Sequence, residues 1–214
     1  MLQLRITRSI LSGLFFASIA FTSPVFAVVT FSIGIPNVEI GSDMDGASSV
    51  GGGGSAEILP QQENARGLKI GIGSYVDGVA FEGAIVKTDH DGQWLGIPTT
   101  SEYQSINLDY KVEVFGEDKF HGVLLLGVGF TSVKVINGST NGIDVQDAKF
   151  KGLDFRVGLG LNYRLTDNLL LEINAVKRNG SYNTVDGIVS GSISDDVSGD
   201  GVTTLIELKY LFDD

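Results

Sequence analysis

The chain has 214 residues with 15 Lys and Arg against 26 Asp and Glu, a formal charge of −11, and no cysteine. Such an acidic balance argues against nucleic acid as a partner, and the missing thiols exclude disulfides and thiolate metal sites. A mean hydropathy of +0.18 is too low for a bundle of membrane helices, while 29 glycines and 43% apolar content suit a β protein with tight turns. No composition break divides the chain, so one domain is expected.

Taken from the N-terminus, Arg5 and Arg8 precede an apolar run over residues 10–21, and Val25, Phe26 and Ala27 offer small residues at a cleavage spacing. Residues 1–27 therefore read as a secretory signal peptide. Its removal takes two arginines and leaves a charge of −13 (−11 − 2) on residues 28–214. Eight segments then alternate apolar and polar residues, the signature of strands whose successive side chains face opposite ways. They are expected at 28–40, 67–76, 78–88, 102–114, 120–136, 149–164, 168–178 and 201–212.

The alternation is clearest over residues 152–165. Leu153, Phe155, Val157, Leu159, Leu161, Tyr163 and Leu165 share one face, and Gly152, Asp154, Arg156, Gly158, Gly160, Asn162 and Arg164 the other. In the first strand the apolar parity changes after Pro36, from Val29, Phe31, Ile33 and Ile35 to Val38 and Ile40, which predicts a bulge at the proline. Short connections fall at Asp77-Gly78, 116–119 and 166–168, all rich in turn residues. Long ones fall at 41–66, 89–101, 137–148 and 179–200. An eight-stranded meander with this rhythm places every short turn at one end and every long loop at the other, as bacterial outer-membrane barrels do. The fold class expected is an all-β, eight-stranded antiparallel up-and-down transmembrane barrel. Alternation alone does not say which face is inside, so a soluble lipocalin-like barrel with an apolar interior stays open as the alternative.

Three stretches carry a family likeness: Gly158, Gly160 and Tyr163 in a Gly-x-Gly-x-x-Tyr run, then Leu169-Leu170-Leu171-Glu172, and a final strand ending Leu208-Lys209-Tyr210-Leu211-Phe212. On these residues 28–214 resemble the small outer-membrane β-barrel superfamily, which includes the OmpA-type transmembrane domain and OmpX-like proteins. The resemblance implies a monomer in the outer membrane, contact with its lipid including lipopolysaccharide, and recognition of the terminal strand by the barrel-assembly machinery. Asp213 and Asp214 follow the last aromatic, where the family pattern ends on it.

In the membrane orientation the polar face lines a narrow lumen. The inward charges would be Lys69, Lys111, Arg156, Arg164 and Lys209 against Glu82, Asp109, Glu113, Asp154, Glu172 and Glu207, five positive and six negative. Such groups should pair and fill the lumen; the alternative is a small pore lined by the same side chains. Phe115, Phe120, Tyr163, Tyr210 and Phe212 near the turns, and Phe130 and Phe155 toward the loops, are expected to anchor the two bilayer interfaces. Trp94 and Tyr182 fall in expected loops. The acidic clusters Asp43/Asp45, Asp89/Asp91 and Asp195/Asp196/Asp200 lack a full calcium-loop pattern, and no metal, cofactor or catalytic residue is assigned. His90 and His121 are the two histidines and are expected at opposite rims, too far apart to serve one triad. A non-enzymatic surface-interaction role through the long loops, with an unknown extracellular ligand, is the leading expectation. A narrow conduit for ions or small solutes is the runner-up, and a soluble periplasmic binding barrel comes third.

Overall fold

The computed structural model describes residues 27–41, 48–50, 56–58, 60–94, 96–136, 139–140, 143–144, 148–187 and 197–212. The expected signal peptide up to residue 26, the acids Asp43, Asp45, Asp195 and Asp196, and Asp213 and Asp214 lie outside the described residues. Eight main strands follow in chain order: β1 Val28–Val38, β2 Ala65–Val76, β3 Val79–Trp94, β4 Ile97–Glu117, β5 Phe120–Ile136, β6 Ala148–Thr166, β7 Leu169–Gly187 and β8 Gly201–Phe212. Each pairs antiparallel with the next, and β8 pairs with β1 from Val29 opposite Phe212 to Val38 opposite Thr203. The sheet therefore closes on itself as a barrel and has no free edge along these ladders.

Three tight turns share one end with Val28 and Phe212. At the first, Asp77 and Gly78 both take positive φ (45° and 80°), the geometry of a type I′ hairpin turn that matches strand twist. Asp118 (φ 51°) serves the second, and Asp167-Asn168 the third.

Apolar side chains face outward. Ile33, Ile72, Phe81, Ile85, Leu108, Leu126, Val157, Leu159, Ile173 and Ile206 are all exposed, Leu159 by 67%. This continuous belt runs through all eight strands, an exterior suited to hydrocarbon and opposite to that of a lipocalin-like barrel.

Above the belt, on the side away from the turns, the pattern inverts without changing parity. Val38, Ile40, Val86, Trp94, Tyr103, Val133, Val135, Ala148, Phe150, Tyr182 and Val197 form a buried apolar cluster inside the barrel. The outward positions there are Glu39, Asp89, Asp91, Glu102, Lys149 and Asn179, all exposed. Beyond the belt the strands thus continue as a sheet with a polar exterior closed around its own apolar core.

This inversion corrects the expected bulge at Pro36. β1 keeps one register against β8 through Ile35, Pro36 and Asn37, and the same offset to β2 on either side of the proline. The pairing with β2 skips Ile35 and Pro36, as a residue with no N–H to donate would predict. Val38 and Ile40 are apolar because the interior there is apolar. Register shifts occur instead between Glu113 and Phe115, Lys151 and Gly152, and Arg164 and Thr166.

The loop expected at 89–101 is likewise mostly strand. β3 and β4 stay paired up to Trp94 opposite Ile97, and Gly96 turns the chain with φ of 77°. β7 runs nine residues past the expected end at 178, to Gly187.

Candidate functional site

Inside the belt, the inward positions of five strands deliver three lysines and three glutamates to one point. Lys69 comes from β2, Glu82 from β3, Lys111 from β4, Glu172 from β7, and Glu207 and Lys209 from β8. Lys111 Nζ lies 2.8 Å from Glu207 and 3.5 Å from Glu82, and also bonds Glu172. Lys209 Nζ sits 2.7 Å from Glu172 and 3.4 Å from Glu82, while Lys69 bridges Glu82 and Glu207. Ser32 and Asn174 add donors to Glu82 and Glu172 at 3.3 and 2.5 Å.

Beside this cluster Arg156 grips Asp109 with two bonds, Nε to Oδ1 at 2.8 Å and Nη2 to Oδ2 at 3.3 Å. Asp154, two residues before Arg156 on the same face, accepts from Thr131 at 2.6 Å. All of these charges are buried. Their desolvation is tolerable only because every cation meets carboxylates at bonding distance and the six-residue cluster is neutral.

Glu113 and Arg164 do not join them. Glu113, half-buried near the turns, accepts from Tyr75 at 3.1 Å and Asn162 at 3.2 Å, with His121 Nδ1 3.9 Å away. Arg164 donates to the Asp167 carbonyl at 3.4 Å.

A cavity on the turn side, between Tyr75, Ala80, Lys111, Glu113, Asn162 and Leu170, measures about 10 Å³, room for one water. Buried apolar Val123, Leu125, Leu170 and Leu211 lie toward the turns from the charges, and the buried apolar cluster lies toward the loops.

All seven aromatics expected at the interfaces, Phe115, Phe120, Phe130, Phe155, Tyr163, Tyr210 and Phe212, are exposed on the outer wall. Tyr163 stands opposite Phe120 in the ladder, and Tyr210 and Phe212 meet edge to face with centroids 4.9 Å apart. Phe115 lies across Gly122, covering a backbone position where a Cβ would collide with its ring.

The loop-side interior contains polar groups that sequence reasoning missed. Arg178, fully buried, donates to Tyr103 Oη at 2.9 Å and to the Glu39 carbonyl, with its Cζ 5.1 Å from the Tyr103 ring centre. Its parity with Glu172, Asn174 and Val176 was readable, but the strand was expected to stop there. His90 faces inward from β3 rather than lying in a loop. Its Nδ1 is 2.6 Å from the Glu63 carbonyl and its Nε2 2.7 Å from Thr88 Oγ1. Burial, together with the Arg178 charge, holds its pKa below the usual histidine value, against weaker opposing effects of the Glu63 carbonyl and Asp89. Trp94 and Tyr182 are buried packing residues, Tyr182 set edge-on against Phe150 at 6.3 Å. Among the described residues no group of His, Asp and Glu could hold a metal ion.

No protein-family model and no curated protein sequence matches the chain. Solved structures do share its fold. OprG of Pseudomonas aeruginosa is similar with a TM-score of 0.55 at 17% identity, covering 88% of this chain and 97% of that one. Neisserial surface protein A gives 0.52 at 12% identity, covering 87% and 97%. Ail, the attachment invasion locus protein of Yersinia pestis, in complex with the heparin analogue sucrose octasulfate, gives 0.51 at 15% identity, covering 87% and 99%. The chain therefore has the fold of the small outer-membrane β-barrels.

Proposed function

We propose that this protein is a non-enzymatic outer-membrane barrel with a sealed lumen, which acts through its loop-side end in surface contact or envelope integrity. The observation that carries this is a neutral, mutually paired charge cluster buried between two apolar layers. A conduit would need a hydrated path, and hydrated charges would not need such complete mutual pairing. Paired β3–β4 and β6–β7 extensions beyond the belt form a stiff platform for contacts. Ail, of the same fold, was solved with a sulfated sugar analogue, and an extracellular ligand for this chain is proposed by that analogy.

Two experiments test the proposal. Purified full-length protein in a planar bilayer should give no discrete conductance steps; steps at physiological salt would establish the conduit instead. Deletion of residues 188–196, which leaves β7 and β8 whole, should reduce adhesion of expressing cells or weaken their envelope. If adhesion and envelope permeability both stayed at the wild-type level, the contact role of this loop would be refuted.

A further inference from the structure

The loop-side end buries polar groups whose partners the fold does not supply. Residues 61–62 add a short rung to the outer end of β3, with Gln61 opposite Gln93 and Gln62 opposite Gly92. This strap lies against bare backbone, because a Cβ on Gly92 would collide with the Gln61 carbonyl. Beside it four side-chain atoms have no hydrogen-bond partner among the described residues: Nε2 and Oε1 of Gln62, Oγ1 of Thr99 and Oγ of Ser101. All three side chains are more than nine-tenths buried.

The ladder sets these groups next to one another. Gln62 and Thr99 both stand opposite Gly92, which puts no side chain between them, and Ser101 stands opposite His90 at the next inward position of β3. His90 cannot serve them, since its ring nitrogens already meet the Glu63 carbonyl and Thr88 Oγ1. Trp94 lies buried on the tip side of the group and Tyr103 on the barrel side, its ring centre 6.1 Å from that of His90. A buried donor or acceptor without a partner costs free energy that a bound molecule can recover.

We infer that these residues form a binding site for an uncharged, hydroxyl-rich ligand of the sugar class, closed by residues 60–64 as a lid. The site supplies a ligand chemistry for the loop-side contact role proposed above and rests on that role. One amide and two hydroxyls can both donate and accept, as the hydroxyls of a sugar do, and the two aromatic walls suit the apolar side of its ring. Glu63, Asp89 and Asp91 are exposed around the strap, with Arg66 beside Asp89, and this acidic entrance disfavours an anion. A cation is disfavoured by buried Arg178, whose Cζ lies 5.1 Å from the Tyr103 ring centre, and by the lack of any carboxylate among the inward residues Thr88, His90, Trp94, Thr99, Ser101 and Tyr103. Few bonds hold the lid: the two ladder pairs, the Glu63 amide to the Asp91 carbonyl at 2.8 Å, and His90 Nδ1 to the Glu63 carbonyl at 2.6 Å. A segment tied so lightly opens by local unfolding, which exposes Gln62 and its neighbours without disturbing the barrel.

The test uses full-length protein in detergent micelles, with binding read by titration calorimetry. The probes are sucrose and sucrose octasulfate, one scaffold without and with negative charge. Wild type should give a saturable heat with sucrose and bind the octasulfate more weakly. Thr99→Val/Ser101→Ala, which removes two of the unmet groups, should weaken sucrose binding roughly tenfold. Gln61→Cys/Gln93→Cys places the only two thiols of the chain at facing exposed positions, about 4.5 to 5.5 Å apart at Cα and within disulfide reach. Oxidised, this variant should not bind sucrose; reduced, it should bind as wild type does.

Heat-modifiable gel migration checks that each variant is folded. If Thr99→Val/Ser101→Ala does not fold, the oxidised and reduced forms of the cysteine variant decide. Absence of a saturable heat with sucrose, or unchanged binding in the folded Thr99→Val/Ser101→Ala variant, overturns the site. Equal sucrose binding by the oxidised and reduced forms overturns the lid, and octasulfate binding as tight as sucrose overturns the uncharged assignment. The contact role fails separately, through the deletion of residues 188–196, which removes no residue of this site.

Discussion

Replacing Lys111 by methionine removes the centre of the lumen cluster while nearly keeping its volume. Lys111 Nζ touches all three glutamates, at 2.8 Å from Glu207, 3.5 Å from Glu82 and bonded to Glu172. The substitution changes the cluster from three cations and three anions to two and three, leaving one uncompensated negative charge at a site shielded from water. Breaking a buried ion pair by losing one partner costs about 3 to 5 kcal/mol. Because Lys69 and Lys209 still reach Glu82, Glu207 and Glu172, the lower part of that range is expected, about 3 kcal/mol.

Neutrality, rather than any one contact, is what the cluster needs, so Lys111→Met/Glu172→Gln should be less destabilised than the sum of the two single variants, by about 2 kcal/mol. The assay is urea unfolding in lipid vesicles, followed by the emission of Trp94, the single tryptophan, and by heat-modifiable migration. A loss under about 1 kcal/mol for Lys111→Met would refute the reasoning. Strict additivity in the double variant would also refute it, since the charges would then be acting independently.

Three further outcomes are expected. Leu159→Arg, at the middle of the outward apolar row of β6, should cost about 2 to 4 kcal/mol, whereas Ser132→Arg, on the outward face of β5 just past Phe130 on the loop side, should cost under about 1 kcal/mol; equal costs in vesicle unfolding would contradict the outward assignment. Gly127→Ala should destabilise by about 1 to 3 kcal/mol, because a Cβ there collides with the Asp109 carboxylate that holds Arg156 and with the Leu108 carbonyl; wild-type unfolding by the same assay would show that the pair can shift freely. His90 is held neutral, with a depressed pKa, so its contribution is full above the unfolded histidine pKa of about 6.5 and is lost as pH falls through the lower folded value. Hydrogen exchange at the Glu63 amide, bonded to Asp91 O at 2.8 Å, should therefore lose protection toward acid pH after correction for intrinsic rates. His90→Gln should flatten that dependence, and an unchanged slope would exclude His90 as its source.

The strands over residues 152–165 and 201–212 were legible because a barrel wall in a membrane separates hydrocarbon from a polar lumen, and period-two alternation records that separation residue by residue. The charged partners were legible in kind for the same reason: Glu82, Glu172, Glu207, Lys69, Lys111 and Lys209 share the inward parity. Which of the eleven charges meet was not legible, because it depends on the stagger between strands distant in sequence. Glu113 and Arg164 have the expected parity, yet they end near the turns with Tyr75 and Asp167. His90, Trp94 and Tyr182 were expected in loops, and Arg178 was not counted among the inward charges, because strand ends were set where the apolar-outward pattern stopped.

The sequence by itself determined the period, the direction of each turn and the residues that share a face, since these follow from local backbone geometry and the side chains alone. Only the tertiary structure decided where the solvent changes. Val38, Ile40, Val133, Val135 and Phe150 are apolar residues on the inward parity, and only ring closure puts them in one core beyond the belt. Alternation specifies two faces, but the sign of each face depends on whether lipid or water lies outside, and that is set by the height of a residue along the assembled barrel.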